Sequence, residues 1–333
     1  MERIDQHTFV AAALDALSDE EVAAWLGASE PLRRDGNALL ALPGGDQVFV
    51  KLLALTDLEQ EPPHWPSTAN CFGLPPYYGY RIGGAGFGVR RELEAHAMAN
   101  EWVLAGECAS FVLMHGYRVV PIARPVFHAP VWPNPWGDHP AVAARHAAVE
   151  GSSRCVAVFL ESFERNLLHR LRDRSETLDV RELEAKLLAL AAFINERGLH
   201  HMDLHFGNLV TDGNAMHLTD FGLAIADRFE LGDAERAFFE RHRCFDRATA
   251  MTSLVHAVFT RHAGEPRWRD ALRTFLDGSS AVGMPPVDRD FLVRRGPLWL
   301  AMTRFYKSLE DDITADFPAE EIERLLRQGA PHR

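Results

Sequence analysis

The chain has 333 residues, 47% of them hydrophobic and 25% charged, and a formal net charge of -12. That length suits two domains or one large bilobal unit, and the composition leaves little room for long disorder. The acidic balance argues against general nucleic-acid binding, which needs clustered Lys and Arg, and mildly favours a cationic substrate.

Cys71, Cys108, Cys155 and Cys244 are scattered and form no C-x-x-C pair, so neither a disulfide framework nor a zinc ribbon is expected. A reducing, cytoplasmic setting fits. The opening MERIDQHTF lacks a basic stretch followed by an apolar one, and no run of about 18 uncharged apolar residues occurs. Neither secretion nor a membrane span is expected.

Ser18 with Glu21 reads as a capping box that opens a short helix ending at Gly27. LLAL, PGGD and QVFVKLLAL then read as two strands about a tight turn, with Lys51 inside the second. Phe49 and Leu53 flank Lys51 at two-residue spacing, so a lysine on that face is costly unless a carboxylate or phosphate pairs with it. From Asp57 to Gly88 the chain is rich in Pro, Gly and aromatics, the composition of a structured loop. Its aromatic part, HWPSTANCFGLPPYYGY, and the later WPNPWG are each either a substrate-facing lid or a packing patch.

VRRELEAHAMANEWVLAG predicts a helix, Phe111 to Val131 short strands, and CVAVFL another strand. Leu183, Leu187, Leu190, Ala191 and Ile194 form one helical stripe, capped by Asp179 with Glu182 and closed by Gly198. Strands thus dominate the first half and helices the second, with no internal repeat.

LHHMDLHFGNLV, residues 199–210, carries the chemistry. After it, Asp212-Gly213-Asn214-Ala215 is a turn between two short alternating runs, a hairpin signal. Antiparallel pairing is expected to bring Asn208 and Asp220 within reach of one ion. An amide oxygen plus a carboxylate is hard-oxygen ligation, suited to Mg²⁺ carrying a nucleotide phosphate. Asp203, on the loop feeding the hairpin, is placed to accept a hydroxyl proton from a substrate. A zinc site from His200, His201 and His205 is disfavoured, because the three are not at i, i+4 on a helix and no further ligand set completes a shell.

His201-Met202-Asp203-Leu204-His205-Phe206-Gly207-Asn208 resembles the catalytic loop of the protein-kinase-like superfamily, and Asp220-Phe221-Gly222 resembles its D-F-G segment. The spacing of the two aspartates is typical of that family. The resemblance covers landmarks from about residue 36 to 224. It implies an α+β, protein-kinase-like bilobal fold: an N-terminal helical extension (1–28), a small β-rich N-lobe with loop insertions (29–160), and a larger helical C-lobe (161–333) carrying the catalytic loop and D-F-G.

The same resemblance implies an ATP- and Mg²⁺-dependent phosphotransferase. Lys51 would contact the α- and β-phosphates and pair with a helix carboxylate, Glu92 or Glu94, with Glu92 favoured by its Arg-Glu-Leu context. Backbone around Glu161 to Phe163 would meet adenine. Asn208 and Asp220 would hold the metal, Asp203 would act on the acceptor, and Asp246 would brace the catalytic loop. The usual glycine-rich loop before the lysine is nearly absent, with Gly36 alone at a suitable distance. GGAGFG at 83–88 is a connector or a phosphate cradle.

His205, two residues after Asp203, resembles small-molecule phosphotransferases rather than serine kinases. No A-P-E segment follows. Both features place a hydroxyl-bearing small molecule or sugar ahead of a protein or peptide acceptor. An atypical serine/threonine kinase, a nucleotide-binding pseudokinase and a metal-dependent hydrolase are the alternatives.

Overall fold

A computed structural model describes residues 2–28, 37–42, 45–80, 86–121, 136, 139–173, 178–264 and 266–329. The chain is a mixed α+β protein dominated by helices, with small antiparallel sheets. It divides into two compact units, residues 1–164 with 217–235 and residues 165–216 with 236–333.

The first unit holds helices α1 (Arg3–Asp15), α2 (Asp19–Ala28), α3 (Asp57–Gln60), α4 (Val89–Leu104) and α5 (Pro140–Glu150). Its strands β1 (Asn37–Ala41), β2 (Gln47–Leu55), β3 (Met114–Pro121) and β4 (Arg154–Glu161) form one antiparallel sheet in the order β1-β2-β4-β3. Strict alternation in β2 buries Val48, Val50 and Leu52 on one face, where they join Val10, Leu14, Val22, Leu26, Ala157 and Phe159. The N-terminal helices therefore cover a sheet face and belong to this unit's core, which makes them more than an appended extension. Ser18 and Glu21 form the expected reciprocal bonds at the start of α2. The other face of β2 carries Phe49, Lys51 and Leu53, each only half-buried.

Within the Pro- and aromatic-rich segment, Thr56 and Glu59 make a capping box for α3, and Pro76–Tyr80 forms a 3-10 turn. Tyr78 and Tyr80 are buried, and Tyr78 packs on Phe87 and Trp136, so these rings serve packing. Gly36, residues 83–85, residues 122–131 and all of WPNPWG except Trp136 lie outside the described residues.

The second unit holds β5 (Arg165–Asn166), α6 (Leu167–Arg172), α7 (Val180–Glu196), β6 (Leu199–His200) and β7 (Leu209–Thr211). The chain then enters β8 (Met216–Leu218), in which it crosses to the first unit, where β9 (Ile225–Ala226) lies. α8 (Asp233–Arg241) leads back into the second unit, followed by α9 (Phe245–Ala263), α10 (Trp268–Leu276), α11 (Pro286–Asp311) and α12 (Ala319–Gln328). α9 is the central helix, packed by α7 and α11, and its Leu254, Val255, Val258 and Phe259 are fully buried. Leu187, Leu190, Ala191 and Ile194 of α7 are buried as its stripe predicts, while Leu183 is half-buried. Asp179 caps α7 by accepting from Arg181 and Glu182 N–H. Glu184 is buried as well, held by Arg294 and Arg295.

The D-F-G segment departs from its expected place in the helical half. It groups with the first unit because Asp220 pairs with Lys51, and Leu218 exchanges backbone bonds with Ser110 and Val112. Among the described residues no helix is long and apolar enough to cross a membrane.

Candidate active site

In the first unit, Lys51 projects from the half-buried face of β2. Its Nζ donates to Glu92 Oε1 and to Asp220 Oδ1, each at 2.6 Å. Glu92 lies in the first turn of α4 and is buried, while the Asp220 side chain is 46% exposed. Glu94, the other candidate partner for Lys51, pairs with Arg228 instead.

Burial works against the charge on Lys51, but Asp220 and Glu92 overcome it and hold the ammonium above its ordinary pKa. Burial pushes the Glu92 carboxyl up; Lys51 opposes this and Asp220 adds to it. One ammonium and two carboxylates leave a net negative cluster, which a cation would relieve.

Asp220 itself has φ 65°, a left-handed conformation that aspartate adopts more readily than most residues. Phe221 is fully buried and meets His96 of α4 edge-on, with ring centroids 4.9 Å apart. The D-F-G segment is thus docked on the helix that carries Glu92. The sequence offered no signal for the His96 contact, which depends on how α4 is rotated.

The second unit holds the loop of residues 201–208. Asn208 donates through its side-chain amide to Asp203 O at 2.9 Å and to Asp203 Oδ2 at 3.0 Å. With the amide nitrogen so used, the Asn208 oxygen is the atom it offers to a ligand. The His205 ring accepts from Gly207 N–H through Nδ1 at 2.9 Å, so its proton belongs on Nε2, 3.4 Å from Asp203 Oδ2.

Asp246, fully buried on α9, accepts from His201 N–H and Met202 N–H at 2.8 Å each and from Asn195 at 2.9 Å. These bonds hold Met202 at φ 64°, an uncommon conformation for an unbranched apolar residue. His201 is buried and accepts weakly from Asp203 N–H at 3.3 Å, while His200 meets Phe239 O and Asn195. All three histidines thus bond within the loop or to its surroundings. Among the described residues no group of three or more His, Cys, Asp or Glu side chains is placed to hold a metal ion.

Glu161 donates its backbone N–H to Leu113 O at 2.9 Å. Its carboxylate takes a two-pronged bond from Arg3 of α1, at 2.7 and 2.6 Å. Phe163 lies against the ring of His217, with centroids 4.7 Å apart.

Asp220 offers a partly exposed carboxylate in the first unit, and Asn208 an amide oxygen in the second; both are hard-oxygen donors. Compared with protein-family models and with curated proteins, the chain matches none.

Proposed function

We propose that the chain is an ATP- and Mg²⁺-dependent phosphotransferase of protein-kinase-like bilobal fold, acting on a hydroxyl acceptor. The observation that carries this reading is the Lys51 ammonium held at 2.6 Å by both Glu92 and Asp220, three residues from distant parts of the sequence. A lysine fixed in this way is a preorganised contact for nucleotide phosphates, and the aspartate beside it is a hard-oxygen ligand.

Asn208 and Asp220 are the residues that would hold Mg²⁺. When bound, the ion neutralises phosphate charge. Lys51 steadies the α- and β-phosphates, and Glu92 orients Lys51. Asp203 accepts the acceptor's hydroxyl proton; the acceptor oxygen bonds to the γ-phosphorus, the bond to the bridging oxygen breaks, and ADP leaves. His205 and Asn208 restrain the Asp203 carboxylate before the acceptor arrives. Backbone near Phe163 remains the candidate adenine contact.

A small-molecule or sugar hydroxyl is favoured over a protein. His205 is one support. The other is that α8 begins soon after Gly222, and Glu230 in that short stretch is bonded to Thr68, which leaves no long segment to platform a peptide.

The test is a screen with γ-labelled ATP across sugars, amino alcohols, aminoglycosides and proteins, the chain itself included. Mg²⁺-dependent label on a small molecule is expected. Label on protein alone would overturn the acceptor class, and Mg-ATP binding with no transfer to any acceptor would overturn the activity.

A further inference from the structure

We propose that Glu59 is a positioning residue for phosphate engagement: its buried carboxylate fixes the first turn of α4, and through that turn sets the Glu92 to Lys51 pair. The inference rests on the phosphotransferase reading of Lys51 and assigns a role to the Pro- and aromatic-rich segment that the sequence left open.

Glu59 is only 6% exposed. Its Oε1 accepts from Val89 N–H, at the very start of α4, at 2.9 Å. Its Oε2 accepts from Thr56 Oγ1 at 2.7 Å, from Thr56 N–H at 3.2 Å and from Arg145 Nη1 at 2.8 Å. The N-cap of α4 is Gly88, which has no side chain to satisfy the first-turn N–H groups. Glu59 supplies that acceptor from a distant segment, with its negative charge at the positive end of the helix. A Cβ on Gly88 would come within 2.9 Å of Glu59 Oε1, so the close approach requires glycine.

The anchor for this carboxylate is itself rigid. Arg145 on α5 is 2% exposed and stacks over Phe72 at 5.0 Å. A second bolt holds the same helical turn. Arg91, the neighbour of Glu92, is buried, donates to Thr68 O at 2.7 Å and pairs with Glu235 at 2.7 Å.

The segment before the helix also touches the D-F-G segment. A Cβ on Gly86 would lie 2.5 Å from Gly222 O. Val89, Arg91 and the Phe221 to His96 contact thus bracket Glu92 on both sides.

Glu59→Gln retains the shape but places an amide N–H₂ where a donor already points. The expected result is roughly tenfold weaker Mg-ATP binding, the size of one coupled contact, and less than about twofold weakening when Glu92→Gln is already present. Hydrogen exchange at Val89 to Leu93 in the nucleotide-free variant should accelerate.

An equal loss in both backgrounds, or unchanged affinity with unchanged exchange, overturns the proposal. Gly88→Ala leaves Glu59 intact and should reproduce the pattern if Glu59→Gln does not fold. A parent chain that fails to bind Mg-ATP defeats the phosphotransferase reading instead, and the exchange measurement still decides whether Glu59 fixes α4.

Discussion

The Lys51 ammonium and the Glu92 carboxylate, on adjacent elements of one unit, stand 2.6 Å apart, with the Glu92 side chain 7% exposed. A buried pair of this kind is costly to break on one side only, since the remaining charge keeps its desolvation penalty. Lys51→Met leaves two carboxylates facing each other. It should lower stability by about 3 kcal/mol, read by urea unfolding, and abolish Mg-ATP-induced thermal stabilisation. A Lys51→Met chain as stable as the parent would show that the pair carries no energy.

Asp203 and Asp220 should separate kinetically. Asp203→Ala removes the proton acceptor and should cut turnover by roughly 10² to 10⁴ with nearly unchanged nucleotide affinity. Asp220→Ala should instead weaken Mg-nucleotide binding, measured by calorimetry over a Mg²⁺ titration. Parent-like activity in either variant removes that residue's assigned role.

Asp246 satisfies two backbone N–H groups and the Asn195 amide in a fully buried position. Asp246→Ala orphans all three donors at roughly 1–3 kcal/mol each, so a loss of at least about 3 kcal/mol is expected. Met202 should then relax from its left-handed conformation. Turnover should fall more than nucleotide affinity, because the loop that carries Asp203 loses its brace.

Acid should destabilise the chain through buried histidines. Burial lowers His242 from 6.5 to about 3, with His200 and Arg241 contributing; burial and then His7 lower His115 from 6.5 to about 4. Each folded-state value lies below the unfolded one, so the unfolded chain takes up the proton first. The stability from the neutral ring is present above pH 6.5 and is lost as pH falls toward the folded value, at up to about 1.4 kcal/mol per pH unit per ring. His242→Phe preserves stacking on Phe238 and Phe317 and should flatten the melting temperature's dependence between pH 7 and 5. An unchanged slope would exclude His242 as a source.

Much of the local structure was legible beforehand. Period-two burial in β2, the Ser18 box, the α7 stripe and the Asp179 cap each depend on residues a few positions apart. Ahead of Ser18, helix is expected only through the family resemblance, because the apolar pattern of α1 is weak: Val10 and Leu14 are its only buried residues. The bond from Glu161 N–H to Leu113 O joins positions 48 residues apart, beyond the reach of any local pattern.

By itself the sequence determined which polar side chains lie together in residues 199–222, because they sit at short fixed spacings along the chain. Tertiary structure decided which groups meet. Glu92 and Glu94 share one helix roughly 200° apart, so only packing of α4 selects which of them faces Lys51. Glu59 finds Val89 and Arg145 at separations of 30 and 86 residues. No local rule reaches across such distances, since burial of a charge becomes tolerable only once its distant partners are in place.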